Sequence, residues 1–196
     1  MTAPSVEIRS ATPEEMSQTI ACIVAAFMTD PIGRFAWPSP YQYLEGMPLA
    51  TRVFGGASFE HGTADVTADF CGAGLWLPPG VHPNGEALEK VFCDTAEPGH
   101  LDDLLATFEK MDEWHPEESH WYLPLVGVEP NAQGRGLGSA LMRHATDRAD
   151  QDGVFAYLES SNPRNISLYE RHGFEVMGTI QIGAGPLVTP MLRRPR

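Results

Sequence analysis

Seven consecutive residues, Gln133-Gly134-Arg135-Gly136-Leu137-Gly138-Ser139, place three glycines on alternate positions at the head of an apolar stripe. The stripe, Leu137, Leu141, Met142, Ala145 and Ala149, has the spacing of one helix face. Ahead of the glycines stands an apolar strand, Trp121-Tyr122-Leu123-Pro124-Leu125-Val126-Gly127-Val128, joined by the turn Glu129-Pro130-Asn131-Ala132. Strand, glycine turn and helix is a layout for holding a phosphate. The first helical N–H groups have no partner within the helix, and the helix dipole puts partial positive charge there. Gly134, Gly136 and Gly138 let an anion approach the backbone, and Arg135 adds a charge.

The anion is narrowed by what the turn lacks. A P-loop needs a Lys before Ser or Thr, and there is none. A G-x-G-x-x-G dinucleotide fingerprint fails because Ser139 stands where the third glycine belongs. What fits is Q-x-x-G-x-G, as Gln133, Gly136 and Gly138, followed downstream by Asn165-x-x-x-Tyr169 and Gly173-Phe174. In this order the three features resemble the coenzyme A half of the GNAT superfamily of N-acetyltransferases, over roughly the last 75 residues. Within it, Gln133–Ser139 and Pro163-Arg164-Asn165…Tyr169-Glu170-Arg171 look most like the branch containing puromycin N-acetyltransferase.

The resemblance implies an α/β (α+β) fold. Its central, mixed, mostly antiparallel twisted sheet has about seven strands, helices on both faces and splayed central strands. It also implies transfer of an acetyl group from acetyl-CoA to an amine by direct attack on the thioester. The Gln133–Ser139 turn would hold the pyrophosphate, Val126, Gly127 and Val128 would meet the pantetheine arm, and the Asn165 amide would touch the cofactor. Leu125–Val128 and Val154–Glu159 are the strands that would splay, and Pro124 fits a bulge or an open edge there. A backbone N–H near Val126 would face the oxyanion. Tyr169 matches the family tyrosine that protonates the leaving thiolate; a core tyrosine is the plain alternative, as a helix cap is for Asn165.

The amine must lose a proton, because alkylammonium groups titrate near pH 10. Glu159, the only carboxylate at the end of its strand, and His120, at the start of the other, are the candidates; a water chain would serve without either. His61, His82, His100, His115, His144 and His172 show no ligand spacing, so no metal is expected. Three alternatives stay open: acetylation of a protein N-terminus or lysine, a CoA-binding module without chemistry, and a plain nucleotide-binding protein.

The chain has 196 residues and a formal net charge of −13, which disfavours nucleic acid and anionic membrane as partners. Acidity favours a cationic small molecule, or simply solubility. No apolar run approaches a membrane span, and Met1–Glu7 lacks the basic start and apolar centre of a leader. Cys22, Cys71 and Cys93 are scattered and odd in number, as in a reduced cytoplasm. A single domain over residues 1–196, monomeric or homodimeric, is expected.

Before the glycine turn, Val6–Arg9 reads as a strand, and Thr12-Pro13-Glu14-Glu15 as a capping box opening a helix that ends near Asp30-Pro31. Residues 32–40 read as loop, 41–54 as helix, and 63–67 and 74–77 as strands. Phe35, Trp37, Tyr41 and Tyr43 are the aromatic residues placed to line an amine pocket, or merely to pack. Residues 85–118 read as an enlarged helical segment with helices at 86–93 and 101–114. Residues 175–182 and 187–192 read as a closing hairpin beside the Val154 strand.

Overall fold

Strand β1 (Ile8–Ser10) runs into the expected capping box, where Glu15 Oε2 accepts the Thr12 N–H at 2.9 Å and a 3-10 turn opens α1 (Met16–Ala26). The structure, a computed structural model, describes residues 6–196; Met1–Ser5, part of the segment read as lacking a leader, lie outside the described residues. The stretch 32–40, expected to be loop, holds a short helix α2 (Pro31–Ala36). Asp30 caps it, with Oδ1 accepting from the Ile32 and Gly33 N–H groups at 3.0 and 3.1 Å, and Pro31 takes the first helical position. Its prolines mark element starts, not a break. Ser39 caps α3 (Pro40–Gly55) in the same way, with Gln42 reaching back to the Ser39 N–H at 3.2 Å.

After the short α4 (Ala57–Glu60) come β2 (Ala64–Thr67) and β3 (Gly72–Leu77). The enlarged helical segment is α5 (Gly85–Thr95) and α6 (Leu101–Asp112). The second half is β4 (His120–Val128), α7 (Leu137–Asp152), β5 (Phe155–Ser160), α8 (Ile166–Arg171), β6 (Glu175–Val176) and β7 (Thr189–Arg193). The seven strands form one sheet in the order β1-β2-β3-β4-β5-β7-β6, antiparallel except for the parallel pair β4 and β5.

The closing hairpin is shorter than expected. β6 stops at Val176, and after the Met177 N–H, which donates to the Pro190 carbonyl at 2.9 Å, residues 178–188 leave the sheet apart from a bridge between Ile180 and Val188. Gly178 passes under the Trp114 ring so closely that a Cβ would lie 2.5 Å from it, and Ile180 and Val188 pack on Met111 of α6. Burial against the helical segment outweighs ladder pairing there.

One sheet face carries α1, α3, α5 and α6, through Ile23, Met47, Phe92 and Leu104 against Val66, Leu75 and Leu125. The other carries α7 and α8, through Met142, Ala145, Ala149 and Tyr169 against Trp121, Leu123 and Leu158. Two part-buried polar ties fix α7: Arg148 Nη2 meets Asp65 Oδ2 at 2.6 Å, and Trp121 Nε1 donates to Asp152 Oδ2 at 2.8 Å. The glycine turn runs directly into α7, so these ties also help place the turn.

β4 and β5 pair only over four residues, His120–Leu123 with Phe155–Leu158. At the same level β4 bulges. Between the pairs Leu75↔Leu125 and Leu77↔Tyr122, β3 advances two residues and β4 three. Pro124 sits inside the bulge, with no N–H to give to a ladder. Beyond it the strands part.

Candidate functional site

The glycine turn sits at the wide end of this parting. Gly134 and Gly136 have φ of +76° and +83°, and a Cβ on either would meet nothing within 4 Å. The turn therefore bends through left-handed backbone and leaves open space beside it. No side chain caps the start of α7, and no acidic residue occupies its first turn. The N–H groups of Leu137, Gly138 and Ser139 are left for a ligand. Gln133 Nε2 ties the turn to the end of β4 through the Val128 carbonyl at 3.0 Å, and Ser139 Oγ meets His172 Nε2 at 2.8 Å.

A cleft of about 570 Å³ runs from the turn into the parting. Val126, Gly127, Val128, Gln133, Gly134, Gly136, Leu137, Gly138, Ser139 and Asn165, all singled out in the sequence, line it. Arg135 does not; its guanidinium turns back onto the Asn131 carbonyl at 3.0 Å. Arg164 and Arg171 supply the cationic walls instead. Asn165 heads α8 without a side-chain capping bond, whereas Asn162 caps the turn before it by accepting from the Arg164 N–H at 3.1 Å. The Asn165 amide is thus not spent on the helix.

Tyr169 and Glu159 meet the cleft from opposite sheet faces. Tyr169, on α8, packs among the α7-side core with its ring centroid 6.3 Å from that of Phe174. Burial, with Asp30 adding to it, pushes its phenol well above the usual range, so it keeps its proton. Glu159 is the first residue of β5 past the last pair with β4. Its side chain is 2% exposed, and burial pushes the carboxyl up to about 8 against the pull of the Tyr122 and Tyr157 phenols. Neither phenol closes on Oε1, which has no hydrogen-bond partner, and the Tyr157 hydroxyl has none either. A buried carboxyl with an unpartnered oxygen and a raised pKa is the mark of a candidate proton-transfer group.

Glu159 also borders a second cavity, of about 70 Å³, on the α3–α5–α6 face. This is several times the roughly 10–15 Å³ that holds one water. Its walls are apolar: Trp37, Phe54, Phe92, Phe108, Met111 and Leu125. Of the four aromatic residues proposed for an amine pocket, only Trp37 is there. Phe35 stacks on His100 at 4.3 Å, the Tyr43 hydroxyl donates to the Val24 carbonyl, and Tyr41 is 77% exposed.

Sequence reasoning missed Asp30 as a site residue. It borders both cavities, and its Oδ2 accepts from Ser161 Oγ at 2.5 Å across the mouth between them. The Asp30-Pro31 pair was its only sequence signal. With Oδ1 taking two N–H groups and Oδ2 the serine, Asp30 is a brace rather than a free base. His120, the other base candidate, lines neither cavity. It lies behind Glu159, half-buried, with Nε2 3.1 Å from His115 Nδ1. Among the described residues no group of three His, Cys, Asp or Glu side chains is placed to hold a metal, and no helix is long and apolar enough to cross a membrane.

Residues 99–174, from the start of α6 to Phe174, match the family described as Acetyltransferase (GNAT) family. The chain is 26% identical over 206 residues to an uncharacterized N-acetyltransferase of Schizosaccharomyces pombe, covering 93% of this chain and 81% of that protein. A Corynebacterium glutamicum structure described as histone acetyltransferase HPA2 and related acetyltransferase superposes with a TM-score of 0.68 at 25% identity, covering 98% and 97% of the two chains. A mosquito structure described as arylalkylamine N-acetyltransferase like 5b superposes with a TM-score of 0.64 at 15% identity, covering 97% and 100%. The fold is that of the GNAT acetyltransferases, and these likenesses indicate acyltransferase activity.

Proposed function

We propose that this chain, which carries a GNAT acetyltransferase domain within the GNAT fold, moves an acetyl group from acetyl-CoA to the primary amine of a small molecule. The observation that carries this reading is Glu159. It is a buried carboxyl with an unpartnered oxygen, set where a phosphate-binding cleft meets an apolar cavity.

Acetyl-CoA supplies the acetyl group as an activated thioester. The open, left-handed glycine turn fits its pyrophosphate, and a Cβ at Gly134 or Gly136 would intrude on that space. Leu137–Ser139 N–H groups, Arg164 and Arg171 hold the anionic end, and Val126–Val128 and Asn165 the arm. The apolar cavity takes the body of the amine, and the Glu159 carboxyl takes its ammonium proton. Tyr169 holds a proton for the departing sulfur from the opposite face. The Asp30–Ser161 brace keeps the mouth between the cavities in register. The small, walled cavity suits a compact amine with an apolar body better than a protein chain. The puromycin-like branch of the sequence resemblance keeps aminonucleosides among the acceptors to be tried, and we place the protein in the cytoplasm.

Titration calorimetry with acetyl-CoA, ATP and NAD tests the cofactor. Binding of acetyl-CoA alone is expected, and no binding by folded protein defeats the reading. Release of CoA thiol against a panel of apolar primary amines, polyamines and peptides then identifies the acceptor class. Tyr169→Phe is expected to lower kcat about a hundredfold, the low end for positioned proton transfer. Its Kd for acetyl-CoA should stay unchanged; full turnover would remove Tyr169 as the acid.

A further inference from the structure

A proton taken up by Glu159 has to leave a side chain that is 2% exposed, and the cleft side is where both substrates would lie. On its other side stand two imidazoles in series. His115 Nε2 lies 3.5 Å from Glu159 Oε1, His115 Nδ1 lies 3.1 Å from His120 Nε2, and His120 Nδ1 lies 2.7 Å from the Glu118 carbonyl oxygen. Exposure rises outward: the His115 side chain is 17% exposed, and His120 is half-buried at the surface.

These contacts fix the tautomers. A carbonyl only accepts, so His120 carries its proton on Nδ1 and shows a lone pair at Nε2. That lone pair takes the Nδ1–H of His115. His115 Nε2 is then a bare lone pair facing the Glu159 carboxyl. An ionised carboxylate would set lone pair against lone pair, whereas a carboxylic acid can donate across the 3.5 Å that separates them, a gap not closed as a hydrogen bond in this structure. The shifts agree with the geometry, since burial pushes Glu159 up to about 8 and His115 down to about 4. The resting proton therefore sits on the carboxyl, and the imidazoles are neutral.

We propose that His115 and His120 form a relay that carries the proton from Glu159 to solvent after each turnover. The inference rests on Glu159 being the base of the proposed reaction. Glu159 passes its Oε1 proton to His115 Nε2, and His115 passes its Nδ1 proton to His120 Nε2. His120, now doubly protonated, gives one proton to bulk water. One proton enters the pair and one leaves. The Glu118 carbonyl holds His120 in its Nδ1–H form, and His115, left with its proton on Nε2, returns it to Nδ1 by exchange with solvent at its exposed edge before the next turnover. Asp112 at the end of α6 and His82 after β3 are the titratable neighbours of His115, and Glu118 and His82 those of His120. The Tyr122 and Tyr157 rings pack on His115 with centroids at 4.5 and 4.6 Å.

The test is the kcat/KM–pH profile of wild type and His115→Gln, with and without added imidazole. His115→Gln is expected to lose about tenfold at pH 7, less than removal of the base itself. Imidazole should restore that loss and leave wild type unchanged. A loss that imidazole does not restore, or no loss while Glu159→Gln is crippled, overturns the relay alone. Full turnover by Glu159→Gln overturns the base and the relay together. Ring-nitrogen NMR of the wild-type protein gives a check independent of turnover. Both rings should be protonated at Nδ1 and bare at Nε2 at pH 7, and an Nε2–H on either ring overturns the relay.

Discussion

Glu159→Gln should cut kcat/KM by about a hundred- to ten-thousand-fold, the range for loss of a positioned general base. Affinity for acetyl-CoA should barely change, because the amide keeps the shape of the carboxyl. The pH profile is the sharper readout. With its carboxyl pushed up to about 8 by burial, wild type holds Glu159 protonated at neutral pH, and kcat/KM climbs as pH rises through about 8. The variant should lose that limb and keep only the rise from titration of the amine itself. Stability carries the opposite sign. Between the ordinary carboxylate pKa of 4.5 and about 8 the folded state binds more protons than the unfolded one, so stability falls as pH rises across that window. Glu159→Gln abolishes this slope, and urea midpoints at pH 5 and pH 9 should converge relative to wild type. Equal pH slopes in both proteins would place the titrating group elsewhere.

Gly136→Val should abolish tight acetyl-CoA binding. The residue has φ +83°, which costs a side-chain-bearing residue about 1–3 kcal/mol, and the new side chain projects into the open space where the pyrophosphate would lie. The strain alone predicts a rise in Kd of about fivefold or more if the turn relaxes to relieve it. Gly80 is the control. It has φ +80° and equally open surroundings, but it lies outside the cleft. Gly80→Val should lose stability by a similar amount and bind acetyl-CoA normally. Normal binding by folded Gly136→Val would put the phosphate somewhere else.

Local signals in the sequence carried far. Thr12-Pro13-Glu15 opened a helix because a capping box is made entirely within four residues. Pro124 told of a bulge because a missing N–H acts at its own position. The glycine turn was legible for the same reason. Misreadings came where distant contacts decide. α2 forms because the Asp30 carboxylate caps it, and nothing in residues 32–40 alone says so. Phe35 and Tyr43 are aromatic like Trp37, but only the docking of α2 on α3 and α5 decides which ring faces the cavity. Asp30, 131 residues from Ser161 along the chain, and His115, in the loop after α6, reach the site through the fold. The hairpin at 175–192 is shorter than its residues suggest because Gly178 and Ile180 are claimed by Trp114 and Met111, over 60 residues upstream.

The parting of β4 and β5 makes the sheet two rafts, β1–β4 and β5–β7–β6, lashed together by four residue pairs. Past Leu123 and Leu158 each raft has a raw edge facing the other, rich in unspent backbone donors and acceptors. An extended ligand laid there acts as a mooring line, and its occupancy becomes part of the cohesion of the whole. At a hundredfold excess over its Kd such a ligand adds about 2.7 kcal/mol to unfolding. The protein should therefore melt later, and more as a unit, when it is loaded. Slow hydrogen exchange should spread from the cores of the rafts to the amides along their facing edges. Variants that weaken the four-pair lashing, tolerable in the loaded protein, would then show their damage mainly when the ligand is scarce.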